Sequence, residues 1–300
     1  MRGRALLLCP VTQPEISRGL GRQFVGHDPR NLNHLARPLL DARTVVRKDT
    51  YWAMPSIGGF PLNQGNTPRC TAYGFGHEVA CGPTYVPGVD TAWADRRYLR
   101  NVEEDRKAGR FFDGGATVEA TMMAAKIDGI TSGYVWNLGL NDTLDALCTV
   151  GPQCLGTVWK SSMFTPRADG LLRVAGEDVG GHFYLLVARV CAHPRFGPGC
   201  WLLNSWGSWG VGVPELGLRT GCGYLTDPDL AILLADGGES VAAADIYNAP
   251  ITNRTVYATA LSKVFHTARH PLIKHARSFP SYEAAVLAGL RPCKLCRPRP

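Results

Sequence analysis

The chain has 300 residues and a mass of 32.5 kDa, with 45% hydrophobic and 19% charged residues, enough apolar content to bury a core and too much for a disordered polypeptide. No run approaches the roughly 20 apolar residues needed to cross a bilayer, which excludes an integral helical membrane protein. The net charge of +7 is uneven: residues 1–50 carry +5, residues 51–250 carry −6 and residues 251–300 carry +8. A mildly acidic body between basic ends suits a globular domain with polyanion-seeking tails, and equally suits tails that are basic only for solubility.

The apolar stretch Ala5 to Cys9 behind Arg2-Gly3-Arg4 is shorter than the roughly 7–15 residues of an export signal, so a cytoplasmic or virion-associated setting is expected. The ten cysteines are accordingly read mostly as small buried hydrophobes rather than as a disulfide framework. Residues 1–50, rich in Arg, Pro, Gly and Asn, read as an extended lead that wraps a neighbouring surface or stays mobile.

Thr67-Pro68 predicts a helix start, with Thr67 as cap, Cys70 in the first turn and the helix running to about Ala80. Gly74 and Gly76 each weaken that helix by roughly 1 kcal/mol, so packing must hold it. Further helices are predicted from Thr117 to about Asp128 and from Asn141-Asp142 through Cys148. Beyond residue 150 the texture changes to strands at Cys154–Trp159, Phe183–Val190 and Trp201–Trp206, the last two separated by a Pro- and Gly-rich turn at 193–199. Helices followed by an antiparallel sheet make an α+β arrangement of two lobes. The small and polar residues from Asp236 to Asp245 read as the exit to a C-terminal module, giving units at 1–50, 51–240 and 252–300.

Four polar residues in chain order form a candidate catalytic set. A thiol at a helix N-terminus is favoured as thiolate, and a histidine partner favours it further. Cys70 has the helix start, and His182, behind Gly180-Gly181 at the head of the longest strand, is the candidate partner. Two antiparallel strands joined by a turn can bring the start of one beside the end of the other, which would let Asn204 orient the imidazole. Gln64, six residues before Cys70, could join the Cys70 backbone N–H as an oxyanion donor.

These residues and their neighbours resemble the papain-like cysteine peptidases. The words that carry the likeness are Asn63-Gln64-Gly65, Cys70-Thr71-Ala72-Tyr73, Gly180-Gly181-His182 and Trp201-Leu202-Leu203-Asn204-Ser205-Trp206-Gly207. Asp113-Gly114-Gly115 and Val150-Gly151-Pro152 add to them, so that the resemblance covers roughly residues 50–235. It implies a two-lobe fold with substrate between the lobes and amide hydrolysis through a thioester. Cys70 would be the nucleophile, His182 the general base and acid, and Asn204 the orienting group. Gln64 would stabilise the oxyanion, Trp206 would shield the His–Asn bond and Gly181 would line the cleft. Thr67-Pro68-Arg69-Cys70-Thr71 replaces the family's usual Cys-Gly-Ser-Cys-Trp, so the structural disulfide near the nucleophile is absent. The overall cast suggests a bacteriophage or bacterial member.

A second constellation lies in the basic tail. His266-x3-His270, 22 intervening residues and Cys293-x2-Cys296 offer four nitrogen and sulfur donors, as a closed tetrahedral zinc site requires; His275 is a spare candidate. Ser281 and Gly289 bracket a helix between the pairs. A unit of about fifty residues has little core, and a bound metal would supply the missing folding free energy. The ending Gly289 to Pro298 resembles the zinc-binding domain of bacterial DNA alkylation-repair regulators. The resemblance and the local charge imply a structural zinc that contacts nucleic acid phosphates or docks another protein. The chain as a whole thus reads as a cysteine peptidase acting on peptides or proteins with a zinc module. The rival reading is a non-catalytic virion or structural protein on the same scaffold.

Overall fold

The computed structural model describes residues 18–42, 44–54, 57–82, 86–246, 256–258, 263–265, 277–279 and 290–292. The six helices in them are α1 (Arg37–Asp41), α2 (Cys70–Val79), α3 (Thr91–Lys107), α4 (Val118–Ile127), α5 (Gly139–Thr149) and α6 (Asp227–Ala235). The strands up to residue 246 are β1 (Arg22–Gln23), β2 (Thr50–Tyr51), β3 (Ala116–Thr117), β4 (Thr131–Asn137), β5 (Gln153–Lys160), β6 (Asp178–His193), β7 (Gly197–Leu203), β8 (Val211–Val213), β9 (Leu218–Thr226) and β10 (Glu239–Ile246). Four short strands follow: β11 (Val256–Ala258), β12 (Val264–Phe265), β13 (Arg277–Phe279) and β14 (Arg291–Pro292).

An antiparallel sheet in the order β4-β10-β5-β6-β7-β9-β8, with β2 beside β6, forms the centre. Strand β6 explains the layering. Phe183, Leu185 and Val187 pack with residues of α2, α3 and α4, whereas Tyr184 and Leu186 pack with residues of α5 and α6 on the opposite face. Successive side chains of a strand point to opposite faces, so a strand covered on both sides reads as one unbroken apolar run.

Three local expectations change. Helix α2 begins at Cys70, but its N-cap is Arg69, without a capping side chain; Thr67 instead donates its hydroxyl to Gln64 O at 2.6 Å. Helix α3 has no counterpart among the expected elements because its inner face is polar: Arg97 pairs with Asp128, Asn101 Nδ2 donates to Thr121 Oγ1 at 2.9 Å, and Asp105 accepts from the Thr117 amide at 2.9 Å. Apolar periodicity cannot register such a face. The exit expected at 236–245 is a strand, β10, paired on both edges with β4 and β5. Within it Val241, Ala242 and Ala243 are buried.

The glycines of α2 are explained by what lies against them. A Cβ at Gly74 would stand 2.5 Å from the Phe183 ring, and one at Gly76 would stand 2.9 Å from Leu62 Cδ1. The helix therefore lies close enough to β6 for an aromatic ring to fill the space a methyl group would need. Gly74→Ala is expected to lower stability by about 1–2 kcal/mol, since overpacking outweighs the better helix propensity of alanine. Urea unfolding reads this directly, and a raised midpoint would show that α2 and β6 part easily.

Candidate active site

Cys70 is fully buried at the first residue of α2, and His182 is fully buried in β6. The backbone of Phe183, the residue after His182, and that of Gly21 pull the Cys70 thiol pKa downward. Hairpin β6–β7 pairs Leu185 with Leu203, so its open end brings His182 beside Asn204. The imidazole Nε2 and Asn204 Oδ1 are 2.9 Å apart. An amide oxygen can only accept, so Nε2 carries the proton and Nδ1 is the nitrogen left with a lone pair. Nδ1 is buried and has no hydrogen-bond partner among the described residues.

Aromatic rings enclose this pair. Trp206 stacks on the imidazole with centroids 4.5 Å apart, and Trp159 meets it edge-on at 4.8 Å. Trp159 was legible only as part of an apolar strand; nothing in its position along the chain marks it as a neighbour of His182. Ser205, also absent from the expected set, fixes two polar residues. Its amide donates to Asn204 Oδ1 at 2.7 Å and its hydroxyl donates to Gln64 Oε1 at 2.5 Å. Gln64 is thereby held with Nε2 free to donate elsewhere, which it does to Thr67 O at 2.7 Å and to Gly19 O at 3.1 Å.

Gly19 belongs to the lead, and residues 19–23 lie along the cleft. The Gly19 carbonyl also accepts from Trp206 Nε1 at 3.2 Å, and its N–H donates to Gly65 O at 3.2 Å. Gly21 N–H donates to Gly181 O at 3.0 Å, and Gly21 O accepts from Ala116 N–H at 2.9 Å. Strand β1 then continues parallel to β3. Only glycine fits at 19 and 21, because a Cβ would run into Thr67 O and Pro68 O. Of the two expectations for this part of the lead, wrapping a surface is the one that holds.

The occupied cleft changes the electrostatics. Burial pushes the Cys70 thiol up to about 12, although the backbone amides around it pull the other way. Burial likewise pushes His182 down to about 4, partly offset by its bond to Asn204. In this buried geometry the shifts of both groups favour their neutral forms, against the thiolate that the helix start favours. Taking an ion pair out of water costs more than the helix start returns.

His266, His270, Cys293 and Cys296 lie outside the described residues, as does His275. Among the described residues no group of three or more His, Cys, Asp or Glu is placed to hold a metal, and all seven cysteines are free.

No family model and no curated protein matches this chain. Among solved structures it is similar to xylellain, a cysteine protease from Xylella fastidiosa, with a TM-score of 0.51 at 12% identity over 79% of this chain and 100% of that one. The mite allergen structure of Blo t 1 and Der p 1 gives 0.49 at 14% identity over 76% of each chain. Procathepsin L 3 of Tenebrio molitor gives 0.44 at 11% identity over 76% of each chain. The fold is the papain-like one.

A thiol held near 12 has little thiolate at neutral pH, so iodoacetamide should label Cys70 slowly at pH 7, with the rate still climbing above pH 9. In the full chain carrying Gly19→Val and Gly21→Val the lead is displaced, and labelling at pH 7 should rise by about tenfold or more. Peptide mass spectrometry separates Cys70 from the other thiols; equal rates in the two proteins would show that the lead does not close the site.

Proposed function

We propose that the chain is a papain-like cysteine peptidase, held latent here by residues 19–23. The observation that carries this reading is the His182–Asn204 bond, which commits Nε2 and leaves Nδ1 without a partner among the described residues, one residue from Phe183, whose backbone pulls the Cys70 pKa down. Once the lead is out and water enters, the thiol proton passes to Nδ1, and thiolate and imidazolium stabilise each other. The thiolate attacks a peptide carbonyl carbon, and the oxyanion takes hydrogen bonds from Gln64 Nε2 and the Cys70 backbone N–H. Imidazolium returns its proton to the leaving amine as the C–N bond breaks, leaving a thioester. His182 then draws a proton from water, whose oxygen attacks the thioester; the thiolate departs and the acid is released. Gln64 Nε2 already binds a peptide carbonyl, that of Gly19, which supports its role as the donor.

For the tail we propose a structural zinc site of His266, His270, Cys293 and Cys296. The support comes from neighbouring residues: β12 pairs with β14 in parallel, matching Phe265 to Pro292, the residues just before His266 and Cys293. The charge of this segment makes phosphate groups its natural partner.

In the Gly19→Val, Gly21→Val chain, hydrolysis of a denatured protein substrate should vanish with Cys70→Ser or His182→Ala. Gln64→Ala should lower kcat by about 10²–10³. Turnover that survives Cys70→Ser, or an opened site whose Cys70 labels no faster than its other thiols, favours the scaffold reading instead. Elemental analysis should find one zinc per chain, lost on Cys293→Ser with Cys296→Ser; an unchanged metal content removes the zinc site.

A further inference from the structure

Trp159 reaches the histidine through the pairing of two strands. In the β5–β6 ladder Thr157 stands opposite His182, and Trp159, two residues on from Thr157, lies on the same face of the sheet. Diagonal neighbours of this kind are about 7–8 Å apart, within reach of an indole. The ladder shifts at that point: Val158 pairs with Gly181 and Lys160 with Asp178, so Val179 and Gly180 share the place opposite Trp159. Gly180 has φ +134°, a backbone conformation that favours glycine. A bulge of this kind bends its strand and re-aims the side chains beside it.

The rings form one block. Trp206 lies over the imidazole at 25°. Trp159 stands at 76° to the imidazole and at 81° to Trp206, with centroids 4.8 and 5.3 Å away. A ring perpendicular to two stacked rings, and at a similar distance from both, is a side wall to the stack. Tyr184 and Trp209 back it at 5.8 and 6.1 Å, and Trp159 is fully buried. Its Nε1 has no hydrogen-bond partner among the described residues. A leucine or phenylalanine would fill core space without stranding a buried donor, so packing alone does not account for an indole here.

We propose that Trp159 is a positioning residue, whose ring stops the imidazole sliding across the face of Trp206 and so keeps Nε2 on Asn204 and leaves Nδ1 as the base. Its use in catalysis rests on the peptidase reading; its hold on His182 rests on the rings alone. A stacked neighbour resists tilting of the imidazole but leaves motion within the ring plane soft. Rotation about the Cα–Cβ bond of His182 follows that soft direction and would carry Nε2 off the Asn204 oxygen. Without that acceptor neither ring nitrogen is compelled to hold the proton.

Ring-nitrogen NMR of the isotopically labelled full chain at neutral pH reads the tautomer directly, with the lead in place and no turnover needed. Wild-type His182 should be the Nε2–H form alone. In Trp159→Leu the two nitrogen signals should move toward each other, as a mixture of tautomers gives, and Trp159→Phe should restore them. In the Gly19→Val, Gly21→Val chain, Trp159→Leu should lower kcat on a denatured protein substrate by about 10–100-fold with KM little changed. Trp159→Phe should recover most of that loss. Mixed tautomers in the wild-type chain overturn the assignment before any variant is made, even if Trp159→Leu does not fold. Signals unchanged in a folded Trp159→Leu chain overturn it too, as does an unchanged kcat where the opened wild-type chain turns over. If the opened wild-type chain cleaves nothing, the peptidase reading fails, and the tautomers of the latent chain still decide whether Trp159 holds the imidazole.

Discussion

The close contact of helix α2 with strand β6 governs the arrangement of the site. Cys70 stands at the head of the helix and His182 in the strand, and neither element has any local reason to place its polar residue near the other. The Phe183 ring lying against Gly74 sets how closely the two backbones approach, and the Phe183 backbone pulls the Cys70 thiol pKa downward. Because β6 is packed on both faces, it cannot slide by one residue without exchanging Phe183, Leu185 and Val187 for Tyr184 and Leu186. Register and helix distance together fix where Cys70 and Phe183 stand relative to each other.

Around that pair the protein holds its polar atoms through a short chain of side chains. Ser205 binds both Asn204 and Gln64, so the group that orients the imidazole and the amide facing the cleft are tied by one residue. Two tryptophans close the imidazole off from water. The cost of such a dry site is that charge is disfavoured in it, which is why the thiol is raised and the histidine lowered while the lead is in place.

The lead is bound as a peptide would be, through its backbone at Gly19 and Gly21 and through one side chain at Arg22. Backbone contacts of this kind carry no sequence information beyond the need for small residues. The Arg22–Glu239 pair does carry it, because a fork of N–H donors meets a carboxylate in a buried slot.

Much of the site was legible along the chain. The Gln64–Cys70 spacing, the words around His182 and Asn204, and the apolar strands of the second half pointed to the fold that the structure has. The residues that escaped notice share a physical cause. Helix α3 buries polar side chains that pair with residues beyond the helix, β10 lies between β4 and β5 yet is rich in alanine, and Trp159 and Ser205 act through contacts far from them in sequence. The sequence by itself determined which residue types were present, in what order, and which stretches could be helix or strand, since these follow from composition and periodicity. Only the tertiary structure decided that residues 19–23 pack against Gln64, Trp206 and Gly181, that Arg22 meets Glu239 across 217 positions, and that burial raises the thiol pKa there. Those outcomes depend on distance, burial and the exclusion of water, which a linear chain does not express.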